Sequence, residues 1–301
     1  MSLLSGIVVG SSGGLYEILC GDERIFCSAR GNFRSKGIRL LVGDYVDIDK
    51  NERGEAFVAA IRERRNSLIR PPLANLDLLF CTLACADPEP STVIFDKLVT
   101  IADHNSIEPV IVITKSDISP ERAYSLARDY EKCSFRTFVT SSESGDGIDE
   151  IRKYIENECV GKICAFSGSS GVGKSSLINR VCPELSLETG ELSKKIARGK
   201  NTTRKADIFK LSCGAFIADT PGFSLIDFQA FDFYSLDDLP FVFREFEPYL
   251  VNCRYTKCTH RKEDGCAVRA AVDEGIIPKS RHESYCALYE ILKNKHEWDK
   301  K

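Results

Sequence analysis

Along residues 1–70, apolar and polar positions alternate in short runs. "SGIVVGSSGGLYEILCG", "ERIFCSARG" and "GDYVDIDKNERGEAFVAAI" carry the two-residue period of half-buried strands, and Gly, Asn and Asp break them into turns. Short strands this closely spaced predict a small closed barrel of the OB-fold type. Pro71 and Pro72 end the run, and the pattern then changes. "LDLLFCTLACA" is continuously apolar, as a strand buried on both faces should be. "STVIFDKLVTIADHN" instead sets Phe95, Leu98, Val99 and Ala102 on one helical face. "EPVIVITKSD" reads as a strand entering a loop, and "SPERAYSLARDYEKC" as a helix with Pro120 near its start. "FRTFVTSS" is a strand, "DGIDEIRKYIENE" a helix and "KICAFSG" a further strand. This alternation predicts a mostly parallel sheet with helices on both faces. From about residue 226 the strands stop: "SLDDLPFVFREFEPYL" reads as helical, a Cys/His cluster follows, and "RHESYCALYEILKNK" is a last helix. The expected organisation is multidomain: a β-barrel over 1–70, an α/β domain over 71–225 and a mostly α module over 226–301.

Composition narrows this. A chain of 301 residues holds two or three domains. A net charge of −3 weakens the case for bulk attraction to nucleic acid but leaves room for local basic faces. No apolar run is long enough to span a bilayer, and "MSLLSGIVVG" lacks the basic start of a signal peptide. The 13 cysteines are odd in number and several sit inside apolar runs. We read them as reduced thiols of a cytoplasmic protein, plus one metal site. Cys81, Cys85, Cys164 and Cys213 are expected in core strands and Cys286 in helix packing, with His104 and His282 structural or on the surface.

The chemistry begins at "GSSGVGKSS", which fits the P-loop pattern G-x-x-x-x-G-K-[ST]. Gly168, Ser169, Ser170, Gly171, Val172 and Gly173 would turn backbone N–H groups toward phosphate oxygens. Lys174 would place a cation on the β- and γ-phosphates, and Ser175 a hydroxyl on Mg²⁺. Ser176 follows in a helix whose N-terminus favours anions. "KICAF" before the loop and "KSSLINRV" after it supply the strand and helix that the motif requires. "ADTPG" follows the apolar "AFIA": Asp219 could hold Mg²⁺ through water, and the Gly222 N–H could meet a γ-phosphate. Between them, "RGKNTTR" offers Thr202 or Thr203 to close over Mg²⁺.

"TKSD", at the end of an apolar strand, is the candidate guanine reader. Asp117 can accept from guanine N1–H and N2–H₂, an edge that adenine lacks, and an unpaired buried carboxylate would discriminate by about 10⁴. The Lys115 stem can lie along the base. "TSS", with Ser141 and Ser142, would complete the pocket. Cys253, Cys258, His260 and Cys266 fall in a C-x4-C-x-H-x5-C pattern. Three thiolates and an imidazole suit one tetrahedral Zn²⁺, structural because four protein ligands leave no open position. Basic residues gather in "ARGNFRSKGIR", where Arg30, Arg34, Lys36 and Arg39 flank Phe33, and near the cysteines as Arg254, Lys257, Arg261 and Lys262. Cations beside a ring suit single-stranded RNA.

Taken together, "ARGNFRSKGIRLLVGDYV", "RPPLANLD", "GSSGVGKSSLIN", "DTPGFS" and "CTHRKEDGCAV" resemble the RsgA (YjeQ) family of small-ribosomal-subunit-dependent GTPases over nearly the whole chain. The resemblance implies an N-terminal OB-fold, a circularly permuted P-loop GTPase domain, a zinc module, ribosomal RNA as partner, and a role in late maturation of the subunit. It implies a zinc role for the Cys/His cluster and Mg²⁺ with GTP. The family usually has Asn first in its base-reading motif; Thr114 keeps a hydroxyl, so guanine preference should survive. Permutation also joins "DTPGFS" directly to the C-terminal module, which should then respond to the γ-phosphate. Phe223 stands where some GTPases carry a water-orienting Gln, so a partner must complete the site. A monomer is expected. Two rivals stay open at this level: an RNA-docking module that only binds GTP, which would tolerate a broken P-loop, and a small-molecule P-loop kinase, which would want an arginine-rich lid and no "TKSD".

Overall fold

The computed structural model describes residues 4–29, 33, 37–51, 53–68, 72–185, 207–219 and 234–294. The first five strands are β1 (Leu4–Ser12), β2 (Leu15–Cys20), β3 (Glu23–Ala29), β4 (Tyr45–Lys50) and β5 (Ala56–Ile61). They close in the order β1-β2-β3-β5-β4. β3 and β5 pair in parallel, Ser28 opposite Phe57, while the other pairs are antiparallel. The predicted alternation fills the interior with Val8, Ile18, Val46 and Val58, all fully buried. A short antiparallel pair follows, β6 (Ser67–Leu68) with β7 (Leu73–Ala74).

The expected α/β alternation is present. Six strands form one sheet: β8 (Leu78–Ala84), β9 (Glu108–Thr114), β10 (Arg136–Val139), β11 (Ile163–Gly168), β12 (Asp207–Lys210) and β13 (Phe216–Asp219), in the order β10-β9-β8-β11-β13-β12. β10 joins β9 in parallel and β13 joins β11 in parallel, while β12 runs antiparallel to β13. The helices are α1 (Thr92–His104), α2 (Pro120–Lys132), α3 (Ile148–Glu158) and α4 (Lys174–Val181). Every residue of β8 and of β11 is buried, in keeping with the mostly apolar run of β8.

The chain divides into two compact units: Met1–Leu78 with Arg152–Phe166 and Cys182–Phe223, and Leu79–Ile151 with Ser167–Val181 and Ser224–Lys301. In the first, β12 packs along barrel strand β1, and Lys210 Nζ bonds Asp22 Oδ1 at 2.7 Å. In the second, the C-terminal segment is helical but more broken than expected. Instead of one helix over "SLDDLPFVFREFEPYL", two 3₁₀ turns (Leu239–Val242 and Arg244–Phe246) precede the single-turn α5 (Glu247–Leu250). Pro240 and Pro248 each remove an N–H and start a new turn. α6 (Ala267–Asp273) and α7 (Lys279–Lys293) complete the module. Cys213, expected in a strand, lies half-buried in the turn between β12 and β13. Cys81, Cys85 and Cys164 are buried as expected.

The C-terminal module is fixed to α1 and α2 by polar groups out of water. Arg281 of α7 is 1% exposed. Its Nη1 donates to Asp96 Oδ1 of α1 at 2.6 Å, and its Nε to Glu245 Oε1 at 2.6 Å. Tyr130 of α2 donates to the same Asp96 oxygen at 2.9 Å. Burial raises the Tyr130 hydroxyl well above its ordinary pKa, so it remains a donor. Arg244 adds bonds to Asp103 at 2.6 and 2.9 Å, and Ser280 to Asp129 at 2.6 Å.

Candidate functional site

β11 delivers the chain into the loop Ser169–Gly173, and α4 begins at Lys174. Strand, loop and helix stand in the order a phosphate cradle needs. Gly171 and Gly173 have φ of +80° and +87°, conformations that side chains with a Cβ rarely adopt. Gly168 is required for another reason: a Cβ there would lie 2.1 Å from Thr82 Oγ1. Val172 is buried, while Ser169, Gly173 and Lys174 are half-buried and Ser170, Gly171, Ser175 and Ser176 are exposed. Asp219 is the last residue of β13, and β13 is the parallel neighbour of β11, so it stands at a carboxyl strand end. Thr202, Thr203, Gly222 and Phe223 lie outside the described residues.

The base-reading motif is built at the end of β9. Thr114 is buried, and its hydroxyl donates to the Val172 carbonyl at 2.6 Å, with the Leu83 carbonyl at 3.3 Å. The Thr114 hydroxyl therefore ties the end of β9 to the loop Ser169–Gly173. Lys115 has φ of +60° and its ammonium bonds the Asp87 carbonyl. Its Cε lies 3.9 Å from where a Gly173 Cβ would be, which lays the stem against the phosphate loop. Cys85 donates its thiol hydrogen to the Lys115 carbonyl at 3.1 Å. Asp117 is exposed and accepts from the Ser141 hydroxyl at 2.5 Å. Ser141 is itself fixed by N–H donation from Glu143 and Ser144, at 3.2 and 3.1 Å. Ser142 is half-buried beside it.

Sequence reasoning missed Thr82, Cys85 and the Asp87 carbonyl as supports of this site. One signal was available: a threonine inside a strand buried on both faces must find a hydrogen-bond partner.

In the C-terminal module, the ligand atoms of Cys253, Cys258, His260 and Cys266 all lie within 4.8 Å of one another. Cys253 Sγ is 3.5 Å from His260 Nδ1 and 3.9 Å from Cys266 Sγ, and Cys266 Sγ is 3.6 Å from His260 Nδ1. Tetrahedral bonds of about 2.3 Å to sulfur and 2.0 Å to nitrogen put ligand atoms about 3.5–3.8 Å apart, so the set fits zinc. Burial pushes the Cys258 thiol up to about 12, so a cation is needed to hold it as thiolate. The frame is supported from α7: His282 Nε2 donates to the His260 carbonyl at 2.7 Å, and Tyr285 OH to the Thr259 carbonyl at 2.9 Å. Glu263 accepts from Thr259 N–H at 2.9 Å, Lys262 N–H at 3.0 Å and Arg261 N–H at 3.1 Å. His282 thus has the structural role expected of it.

Of the basic residues, Arg254, Lys257 and Lys262 are exposed, whereas Arg261 pairs with Glu290 and lies 3.7 Å over the Tyr289 ring. Arg39 and Phe33 line a 470 Å³ cavity on the barrel with Tyr16 and Ile38. Arg30, Arg34 and Lys36 lie outside the described residues.

A P-loop between strand and helix, an aspartate ending the adjacent strand, and a base-reading motif that precedes both define a P-loop GTPase with its motifs in permuted order. Comparison with known proteins agrees. The RsgA GTPase family profile matches residues 61–229 and the RsgA N-terminal domain profile residues 5–58. The protein named small ribosomal subunit biogenesis GTPase RsgA from Caldanaerobacter subterraneus subsp. tengcongensis is 38% identical over 296 residues, covering 98% of each chain. Its namesake from Moorella thermoacetica is 39% identical, covering 96% of this chain and 98% of the other. The crystal structure of YjeQ from Thermotoga maritima superposes with a TM-score of 0.80 at 31% identity, over 98% of this chain and all of that one. YloQ, described as a circularly permuted GTPase, gives 0.79 at 29% identity, over 98% and 96%. The chain belongs to the RsgA GTPase family, and it is a GTP hydrolase.

Proposed function

We propose that this GTPase acts in small-ribosomal-subunit biogenesis, as the printed names of its relatives state for them, and that the subunit stimulates its turnover. The observation that carries the reading is the tie between Thr114 and Val172, which links the guanine motif to the phosphate loop. Guanine is selected by Asp117, held by Ser141, with Lys115 along the base and Ser142 at the rim. Backbone N–H groups from Gly168 to Ser176 cradle the phosphates. Lys174 offsets the negative charge that grows on the β–γ bridge during attack by water. Ser175, Thr203 and Asp219 would hold Mg²⁺, and the Gly222 N–H would meet the γ-phosphate; the ion, when bound, neutralises charge on the β- and γ-oxygens. Phe223 cannot orient water, so the isolated chain is slow and the subunit completes the site.

The barrel (1–70) and the zinc module (226–301) flank the GTPase domain (71–225) and dock ribosomal RNA through Phe33, Arg39, Arg254 and Lys257. Cys253, Cys258, His260 and Cys266 hold one structural Zn²⁺. The protein works as a cytoplasmic monomer; among the described residues no helix is long and apolar enough to cross a membrane. The test is GTP turnover, with ATP as control, with and without purified small subunits. A rise confined to GTP and dependent on the subunit supports the reading. Turnover indifferent to subunits would remove them as activator.

A further inference from the structure

We propose that Thr82, on β8, is a positioning residue that sets the entry of the phosphate loop for nucleotide binding and hydrolysis. This rests on the reading of Gly168–Ser176 as the phosphate cradle. Thr82 is 1% exposed, and its hydroxyl donates to the Ser167 carbonyl at 2.7 Å, across 85 residues of sequence. Ser167 is the residue before the first glycine of the loop. A peptide is planar and trans, so fixing the Ser167 carbonyl also fixes the Gly168 N–H, which points the opposite way. The last peptide of β11, from which the loop departs, therefore takes its direction from Thr82.

The fit is mutual. Thr82 Oγ1 occupies the place of a Gly168 side chain, 2.1 Å from where its Cβ would be, and the Thr82 carbonyl lies 2.6 Å from the same point. Gly168 does not have positive φ, so glycine is demanded there by the approach of β8 and not by backbone conformation. At the other end of the loop, Val172 is held by the Thr114 hydroxyl. The loop is thus bracketed by two buried hydroxyls, one from β8 beside β11 and one from the end of β9, the next strand out. Thr82 touches no reacting atom and acts only through the loop.

The experiment uses the full chain and four variants: Thr82→Val, Thr82→Ala, Thr82→Ser and Lys174→Ala. Valine is nearly isosteric but replaces the donor by a methyl. That methyl would sit 2.7 Å from the Ser167 oxygen, where a carbon needs about 3.3 Å. The loop entry must shift. The readouts are affinity for a fluorescent GDP analogue, kcat and KM for GTP, the GDP-to-IDP affinity ratio, and Tm. Thr82→Val should bind GDP about fivefold to tenfold more weakly, the range a lost hydrogen bond gives, with the GDP-to-IDP ratio unchanged because the base is read elsewhere. Thr82→Ser should restore affinity. If the valine variant does not fold, Thr82→Ala carries the comparison, since it removes the hydroxyl without adding a methyl. Parental affinity in the valine and alanine variants, with only Tm lowered, overturns the proposal. So does a serine variant as weak as valine. Lys174→Ala tests the underlying reading separately: lost affinity supports it, and retained affinity overturns the cradle assignment and the proposal with it.

Discussion

Replacing Arg281 with methionine should release the C-terminal module from α1 and α2. Arg281 and Asp96 are each about 1% exposed at their side chains, and Glu245 is 4% exposed. Methionine would take the Arg281 bond from Asp96, leaving the Tyr130 hydroxyl on the same oxygen, and would take from Glu245 both of its bonds to Arg281. Breaking a buried pair from one side costs about 3–5 kcal/mol, a large part of the 5–15 kcal/mol that holds a typical domain together. The assay is urea unfolding followed by amide exchange over α2 and α7. With a slope of about 2 kcal/mol per molar urea, the midpoint should fall by roughly 1.5–2.5 M. Exchange should rise in both helices. A compensated variant, Arg281→Met with Asp96→Leu and Glu245→Met, should regain most of the loss, because an apolar replacement leaves no charge stranded. A midpoint within about 0.5 M of the parent for Arg281→Met would refute the reasoning, as would a compensated variant no better than the single one.

Loss of the zinc proposed for the Cys/His set should act on the same module. Chelation, or Cys258→Ser, should lower Tm and expose α6 and α7 to exchange, while GDP affinity stays near parental, since none of the four ligands belongs to the nucleotide motifs; collapse of both together would contradict the separation. Glu263 gives a pH signature. Burial works to raise its pKa, but bonds from the Thr259 hydroxyl and N–H, and from the Lys262 N–H, bring it down to about 2. A depressed carboxylate adds stability above its unfolded pKa of about 4.3, and loses it as pH falls toward 2. Allowing for solvent screening, Glu263→Gln should cost about 1–2 kcal/mol at pH 7, about half that near pH 3 and almost nothing once the pH is below about 2, read as Tm against pH. An equal penalty at both pH values would count against that ion's role. Asp117→Asn should exchange guanine for xanthine preference, since an amide can donate to the carbonyl that replaces the guanine amino group. Unchanged GTP preference in a nucleotide panel would displace Asp117 as the base reader.

Patterning made most of the fold legible because each element announced its own period. The barrel strands alternate, β8 and β11 are buried throughout and mostly apolar, and α1 shows Phe95, Leu98, Val99 and Ala102 on its buried face. Where local rules compete, the reading erred: "SLDDLPFVFREFEPYL" has helical apolar spacing, yet two prolines cut it into turns. The P-loop and the Cys/His set were legible because their chemistry is local, within nine residues for one and fourteen for the other.

What escaped is long-range. Thr82 reaches Ser167 across 85 positions, Thr114 reaches Val172 across 58, and Arg281 reaches Asp96 across 185. No periodicity encodes such pairs; only the sheet order and the docking of α7 create them. These contacts also bear on the permuted motif order. Permutation threads the chain from "DTPGFS" directly into the C-terminal module, which invites the view of an arm that swings with the γ-phosphate. Yet the module is fixed by Arg281, Arg244 and Ser280 to α1 and α2, the helices that follow β8 and β9. Those two strands carry the threonines that bracket the phosphate loop. A nucleotide signal carried through these contacts would pass through the β8 and β9 ends and their helices, and the module would move with the base-reading elements instead of away from them.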